Sequence, residues 1–196
     1  MSDILKKALQ ILSTPGGVVL VPTETVYGLV CDWQDEAARD RIYKLKGRSE
    51  NKPLAMFADS AAMAEKFGVK LNESANILLN KFAPGPITVI APADGKYPTV
   101  GVRIPDHTFV LELLKAHGRP LASTSANASG MPNVLTVQDA LEQLNGTIDL
   151  AVDGGTLPED AAASTVVSVC TDTMQILREG PISAGAIAEA LRSDSQ

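Results

Sequence analysis

The stretch that decides the fold is VVLVPTETVYGL, residues 18–29. Its first four residues are apolar and mostly β-branched, and Gly17 and Pro22 bound them, so they predict a short buried strand. Small hydroxyl residues, Glu24 and Tyr27 follow directly. Polar residues at this position are typical of a site at the carboxyl end of a strand in an α/β sheet. A polar turn between two strands would have the same composition, so both interpretations stay open for this stretch alone.

Apolar periodicity and capping residues on either side of this strand predict alternating helices and strands. The predicted helices cover residues 4–12, 36–46, 61–67, 73–82, 108–116, 137–144 and 184–191. The predicted strands cover residues 18–21, 29–31, 54–58, 87–91, 99–104, 121–123, 150–152, 165–169 and 174–177. Asp106 is expected to cap the helix that begins at residue 108, and Thr171 and Asp172 to form a hairpin turn. This irregular alternation predicts an α/β fold: one twisted mixed sheet, parallel and antiparallel, with helices packed on it.

The totals describe an ordinary globular chain of 196 residues, which we expect to form one domain over residues 1–192 with a frayed tail at 193–196. The net charge of −6 argues against a nucleic-acid binder driven by bulk charge, although a local basic groove is compatible with it. Cys31 and Cys170 lie far apart without a CxxC motif and predict buried thiols in a reducing compartment. No signal peptide or long apolar run is evident, so we expect a cytoplasmic protein without membrane contact.

Basic residues are concentrated in one region of the chain. Six of the 17 lysines and arginines fall within residues 39–52. Those up to Lys46 fit a solvated helix face or the C-terminus of the helix macrodipole. Arg48 and Lys52 lie beyond the helix in a loop, which favours an anion site over a solvated face. Polyphosphate is the natural ligand, because arginine offers a planar fork and lysine a point charge.

Three further features could carry chemistry, and each has an ordinary structural explanation as well. Arg103 lies on a predicted strand beside Gly101, where it is either an edge residue or a carboxylate binder. The small residues at 123–130 leave backbone N–H groups and hydroxyls free for a ligand, or they form a plain connecting loop. Arg178 offers one more cation at a strand end, and a surface turn would explain it equally well.

Several classes of site are excluded by missing patterns. His107 and His117 are isolated and give no metal-ligand spacing. The chain has no GxSxG elbow, no GxxxxGK[ST] loop and no GxGxxG after its first strand. A serine-hydrolase triad, a P-loop and a nicotinamide-binding fingerprint are therefore not expected.

Seven short motifs resemble, in order and spacing, those of YrdC-like threonylcarbamoyl-AMP synthases. They are PTETVYGL from residue 22, KGRSENKPL from 46, PGPITVI from 84, VGVRIPDH from 100, STSANASG from 123, STVV from 164 and LREG from 177. Two signature pairs of that family fall on Lys46 and Arg48 and on Ser125 and Asn127. The match covers nearly the whole chain, which is identified as a member of the family in its short, single-domain form.

The resemblance implies an activity and a cavity. Members of the family condense L-threonine, bicarbonate and ATP into threonylcarbamoyl-AMP and pyrophosphate, so a nucleotidyltransferase is expected. A partner complex passes the threonylcarbamoyl group to an adenosine beside the anticodon of tRNA. The family's twisted mixed sheet surrounds a large cationic cavity. Mg²⁺ would arrive with the nucleotide, because the sequence offers no dedicated carboxylate cage.

The resemblance also implies a role for individual residues. The signature pairs Lys46, Arg48, Ser125 and Asn127 would be catalytic. ATP would be bound by Arg48, Lys52, Thr99, Ser125, Asn133 and Arg178. Threonine would be bound by Thr25, Tyr27, Arg103, Ser123 and Ser164, with Arg103 on its carboxylate. Phe57 stands where longer members of the family carry a histidine, which leaves the contact at that wall open.

Two other functions remain as alternatives. The first is a double-stranded RNA-binding translation or ribosome-maturation factor that uses the same basic cavity, with RNA or tRNA as its partner. The net charge of −6 counts against it, because affinity for nucleic acid rises with the number of phosphates neutralised. The second is a divergent relative that keeps the fold without the activity, and the intact signature pairs argue against it.

Overall fold

A computed structural model describes residues 1–171 and 173–193. Its helices are α1 (Asp3–Leu12), α2 (Glu36–Lys46), α3 (Ala61–Lys66), α4 (Glu73–Phe82), α5 (Thr108–His117), α6 (Val137–Gln143) and α7 (Ala184–Ser193). Its strands are β1 (Val19–Val21), β2 (Gly28–Asp32), β3 (Ala55–Phe57), β4 (Ile87–Pro92), β5 (Thr99–Arg103), β6 (Leu121–Ser125), β7 (Leu150–Ala151), β8 (Thr165–Ser168) and β9 (Gln175–Arg178). Asp172 of the predicted hairpin turn and positions 194–196 of the predicted tail lie outside the described residues.

The strands form a single sheet in the order β7-β1-β2-β6-β3-β5-β4-β8-β9. Three neighbouring pairs are parallel: β1 with β7, β3 with β5, and β4 with β8. The remaining pairs are antiparallel, including the β8–β9 pair predicted as a hairpin. The prediction of an α/β fold with a mixed sheet is confirmed.

Helix boundaries follow the capping residues closely. The side chains of Ser2, Asp35, Ser60, Asn72 and Thr136 each accept a hydrogen bond from a backbone N–H of the first turn. Such a bond satisfies a donor that has no partner within the helix.

Several element ends differ from the prediction by one or two residues, and one predicted cap is wrong. The N-cap of α5 is His107, without a side-chain capping bond, so Asp106 stands one residue too early to cap the helix. Strand β6 continues through Ser125 rather than ending at Ser123, because Gly28 and Leu29 of β2 still pair with it there.

Helices cover both faces of one half of the sheet. In β1, Val19 and Val21 pack in a cluster with α1 and α5, whereas Leu20 packs in a cluster with α2 and α6. A strand buried on both faces needs a continuous apolar run, which explains the sequence of residues 18–21.

The other half of the sheet is packed differently. Val89 of β4 and Val100 and Val102 of β5 contact the cluster of α4 and α7. The alternate residues of these strands, such as Gly101 and Arg103, face a cavity. The predicted alternation within β5 is therefore confirmed.

Candidate active site

A cavity of about 300 Å³ lies against the second face of β4 and β5. This volume is at the lower end of the range for small-molecule sites. Among residues 1–171 and 173–193, three arginines, Arg48, Arg103 and Arg178, line the cavity and no acidic residue does. Their side chains come from the loop after α2, from the middle of the sheet and from the end of β9.

The turn after β1 is organised by the buried hydroxyl of Thr23. Its Oγ1 donates to the carbonyl oxygen of Val26 at 2.6 Å and accepts from the N–H groups of Thr25 and Val26, each at 3.2 Å. These bonds take the place of the strand pairing that ends with β1, and a contact of 3.0 Å between the hydroxyls of Thr23 and Thr25 positions the Thr25 side chain. The polar composition of the motif thus produces a rigid turn that carries functional groups.

Arg103 is held from this turn. Its Nη2 donates to Thr25 Oγ1 at 2.7 Å and to Glu24 Oε1 at 2.8 Å. The residue is only 6% exposed, and its Nε is enclosed without a hydrogen-bond partner. The ring of Phe57 lies 5.5 Å from its Cζ. Because Arg103 sits on a central strand with its guanidinium fixed, the edge-residue interpretation of the sequence is wrong.

Arg48 and Arg178 are anchored by main-chain oxygens instead of carboxylates. Arg48 donates from Nε to the carbonyl of Lys52 at 3.1 Å and from Nη2 to that of Pro53 at 3.3 Å. Arg178 donates from Nε and Nη2 to the carbonyl of Ser164, at 3.0 and 2.8 Å. Burial lowers the pKa of both guanidinium groups, and the positive charge of Arg103 lowers the pKa of Arg178 further.

Ser164 belongs to a small hydroxyl network in the cavity wall. Its Oγ lies 2.8 Å from Thr88 Oγ1 and accepts from Arg178 Nη2 at 3.3 Å. Ser164 and Thr88 are both buried, and both line the cavity. The network brings hydroxyl groups of two neighbouring strands next to a cation.

Lys46 lies behind the cavity wall. Its Nζ donates to the main-chain oxygens of Ser125 and Asn127, so the side chain ties the end of α2 to the loop after β6. Only 2% of Lys46 is exposed. Burial, followed by the neighbouring Arg48 cation, lowers the pKa of Lys46 to about 8. The two signature pairs of the sequence are thus in direct contact.

Tyr27 connects the site to the segment after β7. Its hydroxyl donates to the carbonyl of Gly155 at 2.6 Å and accepts from the N–H of Gly154 at 3.0 Å. Burial is the main reason why the pKa of Tyr27 is raised. The phenol therefore stays neutral, and its hydrogen bonds hold the segment at Gly154 and Gly155 next to β2.

Of the thirteen residues predicted for the site, eight line the cavity. These are Tyr27, Arg48, Thr99, Arg103, Ser123, Ser125, Ser164 and Arg178. The other five do not line it: Thr25, Lys46, Lys52, Asn127 and Asn133. Asn127 donates from Nδ2 to the carbonyl of Met131 at 2.6 Å, and Asn133 donates to that of Ala161 at 3.4 Å.

The concentrated basic residues do not converge on one site. The Arg39 guanidinium is buried between the rings of Trp33 and Tyr97, with its Cζ 4.6 Å from each ring centroid. Arg41 pairs with Asp149. Of the six basic residues at 39–52, Arg48 alone lines the cavity. Of the two residues for which an anion site was predicted, Arg48 therefore faces the cavity and Lys52 does not, and the anion site stays a prediction.

Three contacting residues were not predicted. Thr23 organises the turn, Glu24 pairs with Arg103, and Thr88 contacts Ser164. Thr88 could have been found, because it is a polar residue in an apolar strand and shares the cavity face with Ile90. The partner of Glu24 lies 79 positions away and leaves no local signal.

Metal-binding groups and membrane spans were also searched for over residues 1–171 and 173–193. This part of the chain contains no group of three or more histidine, cysteine, aspartate or glutamate side chains placed to hold a metal ion. No helix in it is both long and apolar enough to cross a membrane. Both cysteines are free thiols, with Cys31 buried and Cys170 half-buried.

Comparison with known proteins yields one family. The model of the Sua5/YciO/YrdC family, described as "Telomere recombination", matches residues 12–180. Threonylcarbamoyl-AMP synthase of Rattus norvegicus is 39% identical over 168 residues, which cover 79% of this chain and 59% of the rat protein. The enzyme of the same name from Bacillus subtilis is 37% identical over 175 residues, covering 84% of this chain and 50% of its own length.

A solved structure agrees with these sequence matches. Pyrococcus abyssi Sua5 complexed with L-threonine superposes with a TM-score of 0.87 at 33% identity. The superposition covers 96% of this chain and 57% of the Pyrococcus chain. The chain thus spans between half and three fifths of the length of these three relatives.

Proposed function

The chain belongs to the Sua5/YciO/YrdC family, and from this membership we propose that it is a threonylcarbamoyl-AMP synthase. The proposed reaction joins L-threonine, bicarbonate and ATP and releases pyrophosphate. The observation that carries the proposal is the cavity itself, where three arginines and several hydroxyls meet and no carboxylate of the described part of the chain lines the wall. Such a wall suits anionic ligands, because fixed cations in a partly buried site stabilise them strongly.

The proposed chemistry requires positioning more than a covalent nucleophile. The amine of threonine takes up carbon dioxide derived from bicarbonate and becomes a carbamate. A carbamate oxygen then attacks the α-phosphorus of ATP, and the bond from that phosphorus to pyrophosphate breaks. Three anionic components have to meet, so the contribution of the protein is to orient them and offset their charge.

Within this proposal, the cavity divides its cations between the substrates. Arg48 and Arg178 contact the phosphates of ATP, with Ser125 and Thr99 on the same side. Arg103 binds the carboxylate of threonine, with Ser123 and Ser164 nearby. The main-chain anchors of Arg48 and Arg178 hold each guanidinium in a fixed direction without neutralising it.

Lys46 and Asn127 have an indirect role in this scheme. Lys46 holds the end of β6 at Ser125 and the loop that follows it, and a hydrogen bond of Asn127 closes that loop. Lys52 contributes its carbonyl to Arg48, and Thr25 contributes its hydroxyl to Arg103. Asn133 donates to the carbonyl of Ala161 and is not among the described residues that line the cavity, so its role in binding ATP stays a prediction.

Mg²⁺ enters this scheme as the ion of the nucleotide. Since no acidic side chain of the described residues lines the cavity, phosphate oxygens would be its ligands there. When bound, the ion would neutralise part of the triphosphate charge. The arginines would remain responsible for orienting the phosphates.

The product is proposed to pass to a complex that transfers the threonylcarbamoyl group to tRNA. Binding of double-stranded RNA as the main function is not favoured, because the basic residues around α2 face several directions and the cavity is the size of a small molecule. An RNA-binding function would be supported by salt-dependent RNA binding without threonine-dependent turnover of ATP.

The test of the proposed function is release of pyrophosphate from MgATP and bicarbonate. It is measured without an amino acid, with L-threonine and with L-serine. Release that requires threonine and is much weaker with serine supports the synthase and a pocket that contacts the methyl group. Bound ATP without release under any of these conditions contradicts the proposal.

A further inference from the structure

The proposed function gives binding residues to the carboxylate of threonine and to the phosphates of ATP, but none to the carbamate that joins them. The carbamate contains the carbon taken up from bicarbonate, and it has to lie between the amino acid and the α-phosphorus. In the cavity, this position corresponds to the wall between Arg103 on β5 and Arg178 at the end of β9. A residue that binds the carbamate should therefore lie between these two arginines.

Thr88 occupies this position on strand β4. It pairs with Val166 of β8, which in turn pairs with Arg178 of β9. On the other side, continuing the antiparallel register of β4 and β5 by one residue places Thr88 opposite Arg103. These four residues form one row across the sheet, and all four line the cavity. The side chain of Thr88 is thus placed between the proposed carboxylate side and the proposed phosphate side of the wall.

The hydroxyl of Thr88 ends a chain of hydrogen bonds that starts at Arg178. Nη2 of Arg178 donates to Ser164 Oγ at 3.3 Å, and Ser164 Oγ lies 2.8 Å from Thr88 Oγ1. Each hydroxyl has one hydrogen, and only one of the two hydrogens can point at the other oxygen. Neither hydroxyl has a further acceptor within residues 1–171 and 173–193, so one O–H donor of the pair is left for a ligand.

The cation at the start of the chain decides which hydroxyl keeps the free donor. Donation from Arg178 strengthens the O–H of Ser164 as a donor, because hydrogen bonds in a chain polarise one another. Ser164 then donates to Thr88, and the O–H of Thr88 is left for the cavity. The Thr88 methyl group packs beside Gly101, where a Cβ would lie 3.0 Å from Thr88 Cγ2. A polarised donor held in this way suits an anionic oxygen.

We propose that Thr88 donates a hydrogen bond to the carbamate formed on threonine. A carbamate has two oxygens: one attacks the α-phosphorus, and the hydroxyl of Thr88 holds the other. This inference rests on the proposed function and adds a binding residue for the part of the substrate that derives from bicarbonate. The carbamate loses its negative charge as the bond to phosphorus forms, so the hydrogen bond is not strengthened in the transition state. Its loss should therefore raise KM for bicarbonate with little decrease in kcat.

A structural role for Thr88 is the competing explanation. In that case its hydroxyl only holds Ser164, which is proposed to lie beside threonine, and its loss weakens the binding of threonine itself. In the proposed role, threonine and ATP bind without change when bicarbonate is absent, because neither of them carries a carbamate. The two explanations therefore predict changes in different constants.

The experiment measures KM for bicarbonate from pyrophosphate release by the full chain at saturating L-threonine and MgATP. Thr88→Val keeps the shape of the side chain and removes the hydroxyl. It should raise this KM roughly 10- to 100-fold, the range for losing a hydrogen bond to a charged group. The Kd values for threonine and ATP, measured by titration calorimetry in buffer freed of carbon dioxide, should stay at the wild-type values. Thr147→Val is the matched control, because Thr147 is exposed and does not line the cavity, and it should change none of the three constants.

The outcomes separate this inference from the proposed function. An unchanged KM for bicarbonate, or a loss of threonine affinity as large as the change in that KM, overturns the carbamate assignment while the synthase proposal stands. A wild-type chain that releases no pyrophosphate with threonine overturns the proposed function and the inference with it. If Thr88→Val does not fold, Thr88→Ser and Thr88→Ala provide the same comparison, since they differ only in the hydroxyl. The serine variant should keep KM for bicarbonate close to the wild-type value and the alanine variant should raise it, and equal values for the two variants overturn the assignment.

Discussion

Replacement of Lys46 by methionine tests whether its buried ammonium group makes the stability of the protein depend on pH. The side chain is nearly as long without its charge, so the change removes the titration with little loss of packing volume. In the folded protein, burial and the Arg48 cation lower the pKa of Lys46 from 10.5 to about 8. In the unfolded chain it titrates near its ordinary value.

The magnitude and sign follow from this difference. Below pH 8 Lys46 is charged in both states, and the folded protein bears a penalty of about 3 kcal/mol, since each tenfold change in proton affinity is worth about 1.4 kcal/mol. As the pH rises from 8 to 10.5, the folded state loses its proton before the unfolded state does. The unfolded state then binds more protons, so stability rises with pH. Between pH 7.5 and 9.5 the penalty should fall by about 2 kcal/mol.

Urea unfolding of both proteins at pH 7.5, 8.5 and 9.5 provides the assay. Buried thiol and phenol groups such as Cys31 have raised pKa values and oppose the trend, but they are present in both proteins and cancel in the difference. The free energy of unfolding of the wild type, minus that of Lys46→Met, should increase by about 2 kcal/mol over this range. Lys44→Met, at an exposed position of the same helix, should give a constant difference. A constant difference for Lys46→Met as well would refute the reasoning.

Four further changes have defined outcomes. Arg48→Ala should lower kcat/KM for threonine-dependent pyrophosphate release on the order of 100-fold with the fold intact, and wild-type activity would contradict its place on the phosphates. Arg103→Ala should raise KM for threonine roughly 10- to 100-fold and that for ATP much less, whereas equal increases would contradict its carboxylate role. Gly180→Ala should destabilise the protein by about 1–3 kcal/mol in urea unfolding, because its Cβ would lie 2.3 Å from a backbone carbonyl oxygen. His117→Ala should lower the free energy of unfolding by about 1–3 kcal/mol in the same assay, because its Nε2 lies 2.6 Å from Oδ2 of the buried Asp32. For Gly180→Ala or His117→Ala, a decrease of less than about 0.5 kcal/mol, the scale of ordinary surface substitutions, would contradict the prediction.

The predictable part of the fold rests on short-range patterns. Capping residues mark the starts of helices because they satisfy donors within the same turn, and Gly47 ends α2 because its φ of 58° suits glycine. Strand alternation predicts that Arg103 lies on the opposite face of β5 from Val100 and Val102, and the structure confirms this. Each of these features is decided by neighbours along the chain.

The unpredictable part depends on contacts between distant segments. Arg39 and Lys46 both belong to α2 and are both buried, although a charged residue normally indicates a solvated position. Arg39 is stacked against Tyr97, and Lys46 is bonded to the loop after β6. Neither partner can be identified from the helix sequence. The pairing of Glu24 with Arg103 could not be predicted for the same reason, because the two residues lie 79 positions apart in the sequence.

The contrast between an acidic chain and a cavity lined by arginines is explained by how the cations are anchored. A net charge of −6 acts at long range, where salt screens it over about 10 Å. Inside the cavity, the orientation of Arg48 and Arg178 is fixed by carbonyl dipoles, which accept hydrogen bonds but carry no net charge to cancel. A carboxylate in the same place would fix the orientation equally well and remove most of the attraction for a polyanion. The choice of anchor for Arg48 and Arg178, and not the overall composition, therefore leaves their charge available to an anionic ligand.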